Sequence, residues 1–233
     1  MKRNITTFSG RMKLADMILA DCNLLSILER LNIRLGFGEA SVTNVCQKYK
    51  LSTELFLIIC NIYSFEDYTP HINTLTKEDI AKTLTYLHTS HQYYSKACFP
   101  HLHENIHLMM EECDDLNSKI INKFYDNYDT EVSNHFDYEE RIVFPYVESL
   151  LTGENCRSLD YNIAQFERNH SNIDEKLNDL KNIIIKYLPE SCSTPKRNEV
   201  LLEIFRIEKD LRKHTLIENK LLIPLVSKLE HNE

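Results

Sequence analysis

The chain has 233 residues, of which 42% are hydrophobic and 27% are charged, a composition typical of globular proteins. Its 4 glycines and 6 prolines are too few for a collagen-like or disordered chain, and they favour long helices. A net charge of -8 argues against a phosphate-binding surface, and no apolar run is long enough to span a bilayer, so we expect neither a nucleic-acid partner nor a membrane.

The N-terminus and the cysteines predict the compartment. No apolar stretch of signal-peptide length follows Met1, and the seven cysteines are scattered without a Cys-x-x-Cys pair. We therefore expect a cytoplasmic protein with reduced thiols.

Residues 1–63 are predicted to form a small helical N-terminal domain. Apolar residues recur there in steps of three and four, which predicts a helical stripe through Leu14, Ile18, Cys22, Leu25 and Leu28. Gly36-Phe37-Gly38 predicts a turn, Ser41 is a candidate N-cap, and a further helix starts near Ser52. A domain of this size is only marginally stable alone, so we expect it to pack against another part of the protein or against a second copy. It therefore offers a surface for a homodimer.

Residues 64–76 lack helical periodicity and are predicted to be a linker. The remainder, 77–233, divides into four helical patterns over 77–112, 116–151, 160–187 and 197–229. We expect a disturbance of the first helix at Pro100. Four long helices with short connections predict an all-α fold with an up-down-up-down four-helix bundle.

The two halves of the bundle region repeat one pattern, His-x43-His-x3-Glu-x5-Pro. Its members are His91, His135, Glu139 and Pro145, then His170, His214, Glu218 and Pro224. Two residues of an antiparallel hairpin stand level when the turn falls midway, and the midpoints 113 and 192 lie in turn-like sequence. The spacing therefore predicts four imidazoles and two carboxylates at one height.

These polar positions lie on the apolar stripes of their helices, so we expect them to face the core. Burying them without partners is unfavourable, and a metal would satisfy all six. Four His and two Glu divide evenly over two ions, and mixed nitrogen and oxygen ligands suit iron or manganese. The alternative from the residues alone is a buried polar network without metal.

A third His-x3-Glu match, His107 to Glu111, has no proline after it. On a continuous helix His107 would lie about 24 Å from His91, too far to join the same site. We interpret this pair as part of a solvated face, together with His88, His101 and His103.

The repeated ligand pattern resembles the hemerythrin-like cation-binding bundle. Within that superfamily the chain looks most like the iron–sulfur cluster repair di-iron proteins, because a segment resembling their small helical domain, Leu31 to Glu39, precedes the bundle. The repair family usually has a Cys pair at this turn, whereas this chain has Leu35-Gly36-Phe37-Gly38. Oxygen-carrying hemerythrins have one more His on the third helix, where Phe166 and Asp174 stand here.

The resemblance implies two non-haem iron ions, bridged by Glu139, Glu218 and an oxo group, that bind nitric oxide or oxygen. It also implies repair of damaged iron–sulfur clusters or nitric oxide handling under nitrosative or oxidative stress, with iron–sulfur proteins as partners. Tyr93, Tyr94 and Tyr138 are candidates for residues that contact the metal ligands without binding metal themselves. The rival interpretations are a hemerythrin-like oxygen or redox sensor and a metal-free interaction protein.

Overall fold

We describe a computed structural model of the chain over residues 7–111, 113–153, 161–169, 174–190 and 192–231. Every regular element in these ranges is helical, apart from one isolated bridge between Lys13 and Ser41. This confirms the predicted all-α class. In the same ranges no helix combines the length and the apolar character needed to cross a membrane.

Four short helices lie in the N-terminal segment: α1 (Leu14–Ala20), α2 (Leu24–Arg30), α3 (Val42–Lys48) and α4 (Thr53–Ser64). The predicted N-cap at Ser41 is confirmed, since its side chain accepts from the backbone N–H of Asn44 at 3.3 Å. Ser52 caps α4 in the same way through the N–H of Leu55. Such caps satisfy N–H groups that the first helical turn leaves unpaired.

The predicted continuous stripe from Leu14 to Leu28 is wrong in its second half. Asp21 adopts an extended conformation, and its side chain accepts from the backbone N–H of Asn23 at 3.0 Å, which ends α1. The helical phase restarts in α2, so Leu25 is 43% exposed while Leu24 is buried.

The described residues of the C-terminal part contain eight further α-helices. They are α5 (Lys77–Tyr93), α6 (Phe99–Met110), α7 (Asp115–Tyr138), α8 (Phe144–Thr152), α9 (Ile163–Asn169), α10 (Asp174–Lys186), α11 (Thr194–Ile217) and α12 (Ile223–His231). Residues 65–76 of the predicted linker form no helix, and Ser64 ends α4. The predicted helix over 160–187 corresponds to α9 and α10, and residues 170–173 between them lie outside the described ranges.

In the described residues, three π-helical segments join α5 to α6, α7 to α8 and α11 to α12. They are Tyr94–Cys98, Glu139–Val143 and Glu218–Leu222. A proline stands at the second position after each one: Pro100, Pro145 and Pro224. In an α-helix a proline clashes with the carbonyl four residues earlier, and here that carbonyl lies in the π-helical segment. The preceding residue donates its N–H five residues back, as Phe144 does to Glu139. The disturbance predicted at Pro100 is confirmed, and two more occur.

The chain divides into two compact units, one comprising Met1–Thr89, Val147–Ala164 and Lys213–Glu233. Within it, lysines near the C-terminus bond the backbone of the N-terminal segment. Nζ of Lys213 donates to the carbonyl of Ile62 at 3.4 Å, and Nζ of Lys220 donates to two carbonyls, those of residues 66 and 68, each at 2.9 Å.

The other unit comprises Ser90–Tyr146 and Gln165–Arg212. Helices α6 and α10 both pack against α7. Buried residues of α6, α7, α10 and α11 form one hydrophobic core, which includes Leu102, Tyr128, Leu180 and Ile204. Two pairs of consecutive helices, separated by more than 30 residues, therefore share one apolar interior.

Cys113 and Cys192 form a disulfide with Cα atoms 4.8 Å apart and a sequence separation of 79. These are the two positions predicted as hairpin midpoints, so the two connections meet at one end of this unit. Lys196 also joins them, because its Nζ donates to the carbonyl of Leu108 at 3.0 Å. The expectation that all seven cysteines are separate reduced thiols is wrong for this pair.

We expect Cys113→Ser to destabilise the oxidised protein. The bond closes a long loop. Constraining such a loop in the unfolded chain adds up to about 4 kcal/mol to the free energy of unfolding. Urea unfolding should show a lower midpoint for the variant, and added reductant should give the wild type the same loss. Cys22→Ser, which replaces an exposed free thiol, is the control and should leave the midpoint unchanged. Equal midpoints for Cys113→Ser and wild type would show that the disulfide does not stabilise the fold.

Candidate metal centre

His91 lies at the end of α5, just before the first π-helical segment, and is 3% exposed. Its ring stacks on Phe136, at a centroid distance of 4.2 Å, and on Phe144, at 5.4 Å. Its Nδ1 lies 2.7 Å from Oε1 of Glu140. Since a carboxylate accepts, the Nδ1–H donates, and in the neutral imidazole the lone pair is then on Nε2.

Glu139 has no solvent exposure and lies between two imidazoles. Its Oε2 is 2.9 Å from Nε2 of His91, and its Oε1 is 2.7 Å from Nε2 of His135. His135 belongs to the same helical stretch, four residues earlier, so the intrahelical step places it beside one oxygen. Each carboxylate oxygen therefore faces a different histidine.

Glu218 repeats the intrahelical contact of the His-x3-Glu motif in the fourth helical pattern. It is also fully buried, and its Oε1 lies 3.1 Å from Nε2 of His214. His91, Glu139, His214 and Glu218 each offer one ligand atom, and these four atoms lie within 4.8 Å of one another. Four of the six predicted ligands therefore lie together. The fifth, His135, contacts Glu139. The sixth, His170, lies outside the described residues.

The histidines predicted to be on the surface are exposed. His107 and Glu111 are 70% and 53% exposed in their side chains and 3.9 Å apart, so this match to the motif lies on a solvated face as predicted. His88 and His103 are also exposed. Glu203 accepts a hydrogen bond from His101 and raises the pKa of that imidazole.

Glu140 is a functional candidate that the sequence reasoning missed. The pattern His-x3-Glu selects Glu139 and passes over its neighbour, although the Glu-Glu doublet is visible in the sequence. A carboxylate that accepts from the second nitrogen of a histidine fixes its tautomer and orients its ring, as in many metal sites. In the first helical pattern of the bundle region, the residue four positions after His91 is Ser95 and not Glu. The carboxylates that contact His91 therefore come from residues 139 and 140.

Comparison with known proteins gives one family. Residues 83–226 match the model of the hemerythrin HHE cation binding domain, which is more than half of the chain. Neither the curated proteins nor the solved structures include a significant match. The matched range includes the six predicted ligands and all three π-helical segments.

We expect Glu140→Gln to weaken metal binding by about 10–100-fold, the usual effect of losing a carboxylate behind a ligating histidine. The neutral amide keeps the shape of the side chain but holds His91 Nδ1–H more weakly. Competition with a chromophoric chelator during anaerobic iron titration measures the change. Glu148→Gln, at an exposed position further along the same helical stretch, is the matched control. Equal affinities in Glu140→Gln and wild type would refute an orienting role for Glu140.

Proposed function

The chain belongs to the hemerythrin HHE cation-binding domain family, and on that premise we propose that it is a cytoplasmic non-haem di-iron protein of the response to nitrosative or oxidative stress. We propose that the four helical patterns of residues 77–233 form an up-down-up-down bundle around the iron ions. The activity would be the handling of nitric oxide or the repair of damaged iron–sulfur clusters.

One observation carries this proposal: buried carboxylates and imidazole lone pairs converge. Nδ1–H of His91 is directed to Glu140, so its Nε2 presents a lone pair to an oxygen of Glu139 at 2.9 Å. A metal ion between or beside these two groups would satisfy both. The cluster of His91, Glu139, His214 and Glu218 therefore supports metal binding, and its mixed nitrogen and oxygen donors suit iron or manganese.

The residues have separate roles in this proposal. Glu139 offers one oxygen toward His91 and the other toward His135, which suits a carboxylate shared by two ions. Glu218, beside His214, would be the second shared carboxylate, and His170 the fourth imidazole. Bound iron would supply open coordination positions for a diatomic molecule and a change of oxidation state.

The aromatic rings control access to the site. Phe136 and Phe144 both stack on the His91 imidazole, which is 3% exposed. The His135 side chain is 7% exposed to solvent, and that of His214 is 1% exposed. A small diatomic molecule would therefore reach the site more easily on the His135 side.

A sensing role is the second candidate, and contacts of the N-terminal segment favour it. Lys213 precedes His214 directly and bonds the carbonyl of Ile62 at the end of α4. Lys220 follows Glu218 by two residues and bonds backbone carbonyls after α4. A change at these two candidate ligands would be transmitted to the N-terminal helices through the two lysines.

The test is metal content and the visible spectrum of protein purified without oxygen and then exposed to air. We expect about two iron ions per chain, the content of di-iron carboxylate sites in helical bundles, and charge-transfer bands after oxidation. His135→Ala and Glu218→Ala should lose iron and colour. A His107→Ala, Glu111→Ala double variant removes the same motif from a solvated face and should retain both.

The remaining outcomes distinguish the functions. Nitric oxide turnover, or transfer of iron to a damaged cluster, would support the stress function. Reversible oxygen binding with no iron loss and no turnover would favour the sensor. A colourless protein that takes up no metal on reconstitution would exclude the di-iron proposal and leave a polar network in the core.

A further inference from the structure

Tyr94 is a buried tyrosine whose phenol is hydrogen-bonded to a carboxylate. It has 0% exposure, lies three residues after His91, and its hydroxyl donates to Oδ2 of Asp210 at 2.7 Å. A base at this distance can take a proton directly. Phenols lose an electron far more readily when the proton leaves at the same time, so this geometry favours oxidation of Tyr94.

Stacked rings connect Tyr94 to the candidate metal centre. Its centroid lies 5.8 Å from that of Phe136, at an interplanar angle of 21°. Phe136 in turn stacks on His91 at 4.2 Å and 19°. On the other side, Tyr93 contacts Tyr94 edge to face at 5.9 Å and is half-buried. The rings thus run from a candidate ligand toward the protein surface.

Other buried tyrosines have different partners. Tyr86 is on the same helix, but its hydroxyl donates to the hydroxyl of Tyr63 at 3.0 Å and accepts from the guanidinium of Arg30 at 3.3 Å. A neighbouring cation opposes the loss of an electron. Tyr125 donates to the backbone carbonyl of Phe99, which is a poor proton acceptor, and burial raises the pKa of its phenol.

We propose that Tyr94 donates an electron when the iron-loaded protein meets hydrogen peroxide, with Asp210 taking the phenolic proton. The inference rests on the proposed iron function. The reacting centre holds one ferrous and one ferric ion. Peroxide accepts one electron from the ferrous ion and one from Tyr94, its O–O bond breaks, and two protons from solvent complete two water molecules. The products are a ferric ion, the Tyr94 phenoxyl radical and protonated Asp210.

Tyr93 carries the oxidising equivalent outward. Tyr94 regains its proton from Asp210 and an electron from Tyr93, whose own proton passes to solvent. A reductant can then meet the radical at the half-buried ring. The buried imidazoles are spared, because the second electron that peroxide requires comes from a phenol and not from a ligand.

The experiment loads the full chain with ferrous iron without oxygen, removes one electron per pair of ions with a chemical oxidant, mixes the protein with hydrogen peroxide and freezes it for electron paramagnetic resonance. We expect a tyrosyl radical that Tyr94→Phe abolishes and Tyr93→Phe prolongs. Asp210→Asn should slow its formation about tenfold, the effect of a barrier higher by about 1.4 kcal/mol. Tyr86→Phe is the matched control and should leave the signal unchanged, and metal-free protein should give no radical.

Peptide mass spectrometry of the treated wild type gives a second readout, since oxidation products should concentrate at Tyr93 and Tyr94. This readout decides the matter even where Tyr94→Phe does not load iron. Iron that is oxidised with no tyrosyl radical, or with an equal radical in Tyr94→Phe, overturns the inference and leaves the iron function standing. A chain that binds no iron overturns both.

Discussion

Two fully buried carboxylates, Glu139 and Glu218, impose the strongest physical constraint on this structure. Removing an ionised carboxylate from water costs several kcal/mol unless compensating charge is close. The imidazoles at 2.7–3.1 Å contribute hydrogen-bonding nitrogens, but a neutral imidazole carries a single N–H, and that of His91 is directed to Glu140. A bound cation would supply compensating charge, so we expect metal binding and the stability of this core to be linked.

The backbone changes its hydrogen-bonding pattern at these carboxylates. Glu139 and Glu218 each begin a π-helical segment, and the carbonyl of each accepts the N–H from five residues onward. The prolines at 145 and 224 make this pattern favourable, because each would clash with an α-helical carbonyl four residues earlier. One short motif therefore encodes both the ligand and the local geometry that presents it, and π-helical turns are common at functional sites for this reason.

The sequence predicts features that depend on periodicity within one helix. His135 and Glu139 follow the helical step, and Tyr128, Val132 and Val143 on the same stripe are buried. The phase of the second N-terminal helix could not be predicted in this way, since a side-chain contact at Asp21 ends the first one. The partners of His91 and Tyr94 were also beyond prediction, because Glu140 and Asp210 are 49 and 116 residues away in sequence.

The disulfide and the site are related by their spacing. Cys113 lies 22 residues from both His91 and His135, and Cys192 lies 22 residues from both His170 and His214. Along α7 that length corresponds to about 33 Å. A helix turns by about 100° per residue. A one-residue insertion in one of these 22-residue stretches would therefore shift a ligand along the helix axis and rotate it away from the core. The disulfide joins these two connections, so the stretches that reach His91 and His135 start from a covalent link at one end of their unit.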